Sequence, residues 1–136
     1  MNNYTHIIWD WNGTLLDDVA WCITRMNIML KKRELPIIES VAAYHRVFGF
    51  PVKEYYRRVG FDFEKERFEN LAVEYIELYH GTEGSVPLFP NTEDVLSDFQ
   101  QKGIHQIIFS KSASARISKY YPEYAGKMDS VENFDF

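Results

Sequence analysis

Asp10, Asn12 and Thr14 alternate with Trp11 and Gly13 directly after the apolar run His6-Ile7-Ile8-Trp9. The run predicts a buried strand, so a carboxylate stands where a strand gives way to a Gly-containing turn. In open α/β sheets, ligands bind at the carboxyl ends of strands. Gly13 lets the chain turn sharply, and the flanking carboxamide and hydroxyl add polar groups to the same turn. A second position of this kind is Ser110, which ends the apolar run from Ile104 and precedes another helical segment. The purely structural alternatives are a turn-capping Asp10 and a Ser110 that caps the following helix.

The intervening chain predicts helices. Val19, Cys22, Ile23, Met26, Met29 and Leu30 recur at helical intervals, with Asp17 or Asp18 as N-cap. Lys31-Lys32-Arg33 then closes the helix as a solvated, dipole-matched end. A short helix is expected over Glu39–Val47, another from Pro51 to Arg58, and a longer one with Phe68, Leu71, Ala72, Tyr75, Leu78 and Tyr79 on one face. No strand signal occurs between Asp17 and His80. Thr82 to Pro90 reads as a loop. Asn91 or Thr92 then caps a helix burying Val95, Leu96 and Phe99, the Ser110 strand follows, Ser112–Tyr121 is helical, and Met128–Phe136 holds at most a short edge strand.

The 136 residues fit one domain or a small core carrying an insertion. A net charge of −5 opposes non-specific binding to nucleic acid or anionic membranes. An anionic substrate must therefore be drawn in locally, by a metal or a few placed cations. Cys22, the single cysteine, cannot form an internal disulfide and reads as a buried thiol. Without a basic, apolar leader or a long apolar span, the expectation is a soluble, cytoplasmic protein. His45 and His80 lack metal-site spacing. Lys53, Arg57 and Arg58 are either substrate-selecting cations or a solvated helix face.

The order strand, helical insert, helix, strand, helix, with Asp-x-Asn-x-Thr after the first strand, resembles the haloacid dehalogenase (HAD) superfamily over roughly residues 4–120. The phosphoglycolate-phosphatase-like branch is the most similar. The resemblance implies an α/β fold, a HAD-like Rossmannoid parallel sheet with an inserted all-helical cap of the C1 type. Residues 1–16 and 82–136 would form an incomplete, C-terminally truncated core, and residues 17–81 the cap. It further implies that Asp10 attacks phosphorus and forms an aspartyl-phosphate that water releases. Mg²⁺ would be held by the Asp10 carboxylate, the Asn12 main-chain carbonyl and a downstream acid. Gly13, Thr14 and Ser110 would shape the phosphate site, and the substrate would be a small phosphorylated molecule.

Asn12 departs from the pattern. Phosphatases of the superfamily carry there a second Asp that protonates the leaving alkoxide and activates water. A carboxamide does neither, and general acid–base catalysis contributes about 10²–10⁴-fold. The expectation is an enzyme impaired on alkyl phosphates, or one selecting acyl or aryl phosphates. Deamidation of the Asn12-Gly13 pair would restore the acid. Only 26 residues follow Ser110 (136 − 110). Lys119 or Lys127 is a candidate for the family's lysine and Asp129 or Asp135 for its downstream acid, none after an apolar strand; Lys111 reads as solvated. Without a strand beside it, Ile7-Ile8-Trp9 becomes an apolar edge open to self-association. Three readings follow: a Mg²⁺-dependent phosphatase, a catalytically impaired remnant or phosphate-binding module, and a metal-independent dehalogenase-type hydrolase.

Overall fold

Parallel strands cannot be joined by a tight turn, so each crossover must carry other structure. The computed structural model describes residues 3–80, 84–110 and 114–133. The chain divides into a discontinuous unit, Met1–Asp18 with Gly84–Phe136, and a continuous unit, Val19–Glu83.

The discontinuous unit is α/β. Strands β1 (His6–Trp9), β2 (His105–Ser110) and β3 (Ser130–Asn133) form a parallel sheet in the order β1-β2-β3. Helix α5 (Thr92–Gln101) packs on β2, and α6 (Ser114–Tyr120) and α7 (Pro122–Ala125) lie before β3. One face of the sheet is covered. Gln106 donates from Nε2 to the Leu96 carbonyl of α5 at 2.9 Å and accepts from the Trp9 indole N–H at 3.1 Å. Ile108 and Leu96 are fully buried on that side. The other face leaves Ile8 70% and Phe109 44% exposed. The expected buried first strand is thus an edge strand among the described residues, with only alternate side chains half-buried. Two further local expectations change. Val95 on α5 faces solvent, and Asn91, at φ 65°, makes no side-chain cap bond.

The continuous unit is all-helical among its described residues: α1 (Val19–Lys32), α2 (Val41–Val47), α3 (Val52–Arg58) and α4 (Phe68–His80). Its core joins Met26, Met29 and Leu30 of α1 to Tyr44, Tyr55, Tyr56, Phe61 and Leu71. The aromatics meet edge-on, as at Tyr44–Tyr55 (6.1 Å) and Tyr56–Phe68 (5.3 Å). Ser40 caps α2 by accepting from the Ala43 N–H at 3.1 Å. Cys22 is half-buried beside Tyr75 rather than fully buried.

Arg33, expected to be solvated, is 13% exposed and sits between two carboxylates. Its Nε reaches Glu66 Oε2 at 2.5 Å and its Nη2 reaches Glu74 Oε2 at 2.7 Å. These hydrogen bonds hold both glutamates below the ordinary value of 4.5. Arg33→Met is expected to destabilise the helical unit by about 1–3 kcal/mol, because charge-assisted bonds are lost from a largely enclosed cation. A carboxylate depressed in the folded state contributes stability above its unfolded pKa and loses it as pH falls through the folded one. Urea unfolding should therefore show a stability loss below pH 4.5 that shrinks in the variant. An unchanged pH profile would contradict this assignment.

Candidate active site

The turn after β1 is built around one main-chain carbonyl. That of Trp11 accepts from the N–H groups of Thr14, Leu15 and Leu16 at 3.2, 3.0 and 2.9 Å, and Gly13 N–H donates to Leu16 O at 2.9 Å. Gly13 sits at φ +71°, and a Cβ placed on it would meet nothing within 4 Å, so backbone conformation alone selects glycine there. Apolar residues hold the turn from beneath. Trp11, Leu15 and Leu16 are buried, and the Trp11 ring meets Tyr121 edge-on at 5.1 Å. Tyr121 donates its hydroxyl to Val86 O at 2.8 Å. The segment returning after residue 84 clamps the turn further, through Asp17 N–H to Pro87 O and Phe89 N–H to Leu15 O, both 2.9 Å.

Asp10 is exposed on this base. Its Oδ1 accepts from the Trp11 N–H at 2.8 Å, and its Oδ2 from the Thr14 hydroxyl at 3.4 Å. Asn12 turns elsewhere. Its Nδ2 donates at 2.9 Å to Oδ2 of Asp18, a carboxylate only 4% exposed. Sequence reasoning gave Asp18 only a capping role; its pairing across a glycine turn carries no simple periodic signal.

Ser110 ends β2, 1% exposed. The parallel register sets Trp9 beside Ile108, which brings the strand ends bearing Asp10 and Ser110 to the same edge of the sheet. The structure thus joins Asp10 to Thr14 directly, seats Ser110 on the neighbouring strand end and engages Asn12 with Asp18. The downstream candidates fall elsewhere. Asp129 accepts from the Gln106 N–H at 2.7 Å and lies 3.4 Å from His105 Nδ1, contacts that hold its carboxyl below its ordinary range. That is the opposite edge of the sheet, about 13 Å along β2 from Ser110. Lys127 precedes β3 on that far side, and Lys119 lies 5.0 Å over the Tyr120 ring. Lys111 and Asp135 lie outside the described residues, as do Ser112 and Phe136.

The helical unit's expected cations have local roles. Lys53 lies 5.5 Å over Phe63, Arg57 pairs with Glu54, and Arg58 donates to Val47 O at 3.2 Å. Among the described residues no group of three or more His, Cys, Asp or Glu could hold a metal. The donors at the Asp10 turn, one carboxylate and the Asn12 main-chain carbonyl, suit a hard cation that keeps most of its waters.

Among the described residues no helix is long and apolar enough to cross a membrane. The chain superposes on a haloacid dehalogenase-like family hydrolase from Streptococcus pneumoniae with a TM-score of 0.78 at 17% identity, covering 99% of this chain and 63% of that one. A haloacid dehalogenase-like hydrolase from Bacteroides fragilis gives 0.78 at 20% identity, covering 96% and 63%. A predicted phosphoglycolate phosphatase from Haemophilus somnus gives 0.70 at 14%, covering 98% and 64%. This chain therefore spans less than two thirds of the length of these structures. No curated protein matches its sequence at a significant level. The haloacid dehalogenase-like hydrolase family model matches residues 7–124. With that match over most of its length, the parallel sheet and the Asp10 turn, the chain belongs to the haloacid dehalogenase-like hydrolases.

Proposed function

We propose that the chain hydrolyses small phosphoric monoesters or acyl phosphates through an aspartyl-phosphate on Asp10. The carrying observation is the unequal holding of its two oxygens. Oδ1 is fixed by a main-chain N–H at 2.8 Å, whereas Oδ2 is only loosely held at 3.4 Å and is the oxygen free to attack. The Oδ2–P bond forms as the P–O bond to the leaving group breaks, and water then attacks phosphorus and regenerates the carboxylate. Ser110 donates to a phosphoryl oxygen, and Thr14 braces the Asp10 turn. The Asp10 carboxylate and the Asn12 main-chain carbonyl would hold Mg²⁺, which would supply charge neutralisation for the phosphoryl transfer. Asn12 supplies no proton, so the leaving group must depart as a weak base or take its proton from water. Residues 19–83 serve as the cap in this reading, and a cytoplasmic setting agrees with a lone cysteine.

Phosphate release from acetyl phosphate, measured with Mg²⁺ and with a chelator, tests the proposal. Metal-dependent release is the expected result. No release by folded protein would overturn it in favour of a phosphate-binding module, which the engagement of Asn12 with Asp18 also suits. Release indifferent to chelator would favour the metal-independent hydrolase.

Self-association through β1 belongs to the same proposal. Its outer edge is unpaired among the described residues, and Ile8 stands 70% exposed beside it. Unpaired, apolar edges template further strands. Light scattering should show oligomers that Ile8→Lys converts to monomers. Identical masses for the two proteins would refute this.

A further inference from the structure

A cavity of about 580 Å³ lies within the discontinuous unit, lined by the segment returning after residue 84 and by residues of α5 to α7. That volume suits a small molecule. Its walls are aromatic: Phe89, Tyr120, Tyr121 and Tyr124. Tyr121 is fixed by its hydroxyl bond to the Val86 carbonyl and by its edge-on contact with Trp11. Tyr120 abuts the Gly84 backbone, where an added Cβ would lie 3.5 Å from the ring's Cδ1. The lining residues that carry charge are Glu93 and Glu123, both acidic and both exposed. Both act on Tyr124, whose hydroxyl is pushed up from its ordinary value by burial and then by these two carboxylates. Among the described residues neither carboxylate enters an ion pair; those of this unit join Lys102 to Asp98 and His105 to Asp129. Each acid sits in the first turn of its helix, α5 or α7, which favours a negative charge. That placement accounts for the acids but not for the aromatic walls. Lys119 lies 5.0 Å over the Tyr120 ring, so one ring already holds an ammonium group on its face. One lysine against two carboxylates leaves the cavity negative. Electron-rich ring faces and unpaired carboxylates attract the same ligand, an organic cation. A bare metal ion would use the acids and leave the rings unused.

We infer that this cavity binds a small alkylammonium ion, its alkyl chain against the aromatic walls and its N–H groups donating to Glu93 and Glu123. Asp10 and Ser110 do not line the cavity. The site is therefore separate from the proposed hydrolysis and stands or falls without it.

The test is titration of the full chain carrying ¹³C-labelled tyrosine rings, with Tyr120 and Tyr124 assigned by their loss in Tyr120→Phe and Tyr124→Phe. The probes are n-butylammonium, neutral n-butanol and anionic butyrate, at neutral pH and constant ionic strength. Butylammonium should move the Tyr124 resonance saturably, while butanol and butyrate leave it in place. The double variant Glu93→Gln/Glu123→Gln should bind butylammonium about tenfold more weakly, as expected for the loss of two exposed charges. Both glutamates are exposed, so this variant should keep the tyrosine spectrum of the folded chain. No movement with butylammonium in a folded chain would overturn the inference. An equal response to butanol would overturn the selection for charge, and undiminished binding by the double variant would overturn the part given to the carboxylates.

Discussion

Asp10→Asn should cut phosphate release from acetyl phosphate by at least about 10³-fold, since an amide cannot form the acyl-phosphate and no other group takes over its role. The substitution keeps size and shape. The carbonyl oxygen of the introduced amide still accepts from the Trp11 N–H, and the buried support from Trp11, Leu15 and Leu16 is untouched. Thermal unfolding should therefore stay within about 0.5 kcal/mol of the unsubstituted chain. Loss of turnover without loss of fold identifies Asp10 as the nucleophile. Equal release from both proteins would remove Asp10 from the chemistry.

Asn12→Asp should act in the opposite direction on alkyl phosphates, raising turnover by up to about 10²–10⁴-fold, the usual range for a positioned acid and base. The structure adds a reason beyond the residue type. Asn12 donates to the buried Asp18 at 2.9 Å, so an aspartate in its place would face a second carboxylate and the two would share one proton. That proton is what a departing alkoxide requires. Acetyl phosphate, whose leaving group needs little protonation, should respond far less. The pair also has a cost. A carboxyl whose folded pKa is raised contributes stability below its unfolded pKa and loses it as pH climbs through the folded value. The variant should consequently unfold more easily at pH 7 than at pH 5. Adding Asp18→Asn should restore stability by exchanging donor and acceptor. Unimproved alkyl-phosphate turnover in a folded Asn12→Asp chain would count against an acid–base deficit at this position.

Segments whose periodicity serves one face were legible in the sequence. The spacing of Met26, Met29 and Leu30 located α1, and the breakers Pro51 and Gly60 bracket α3. The motif turn was legible because Gly13 and its polar neighbours mark it locally. What stayed hidden depends on partners distant in the chain. The apolar run Ile7-Ile8-Trp9 reads as buried, yet burial of a strand depends on what covers both its faces, and here one face of Ile8 is bare. Arg33 looked like a helix end in solvent because Glu66 and Glu74 lie 33 and 41 residues away. Trp11 offered no sign that Tyr121 would be its support. Asp18 was visible as a cap but not as the acceptor for Asn12.

The parallel pairing of β1 with β2 also imposes an order on biosynthesis. Trp9 and the Gln106 that accepts its indole N–H are 97 residues apart, so β1 leaves the ribosome roughly 5–20 s before its partner at about 5–20 residues/s. The helical unit is continuous and can close on itself during that wait, shortening the loop that β1 and β2 must later span. The nascent chain meanwhile carries an apolar strand whose partner β2 has not yet been made. Chaperone demand should therefore be greatest before residue 110 emerges, and slowed translation within the helical unit should lengthen exposure of the very strand that leads to Asp10.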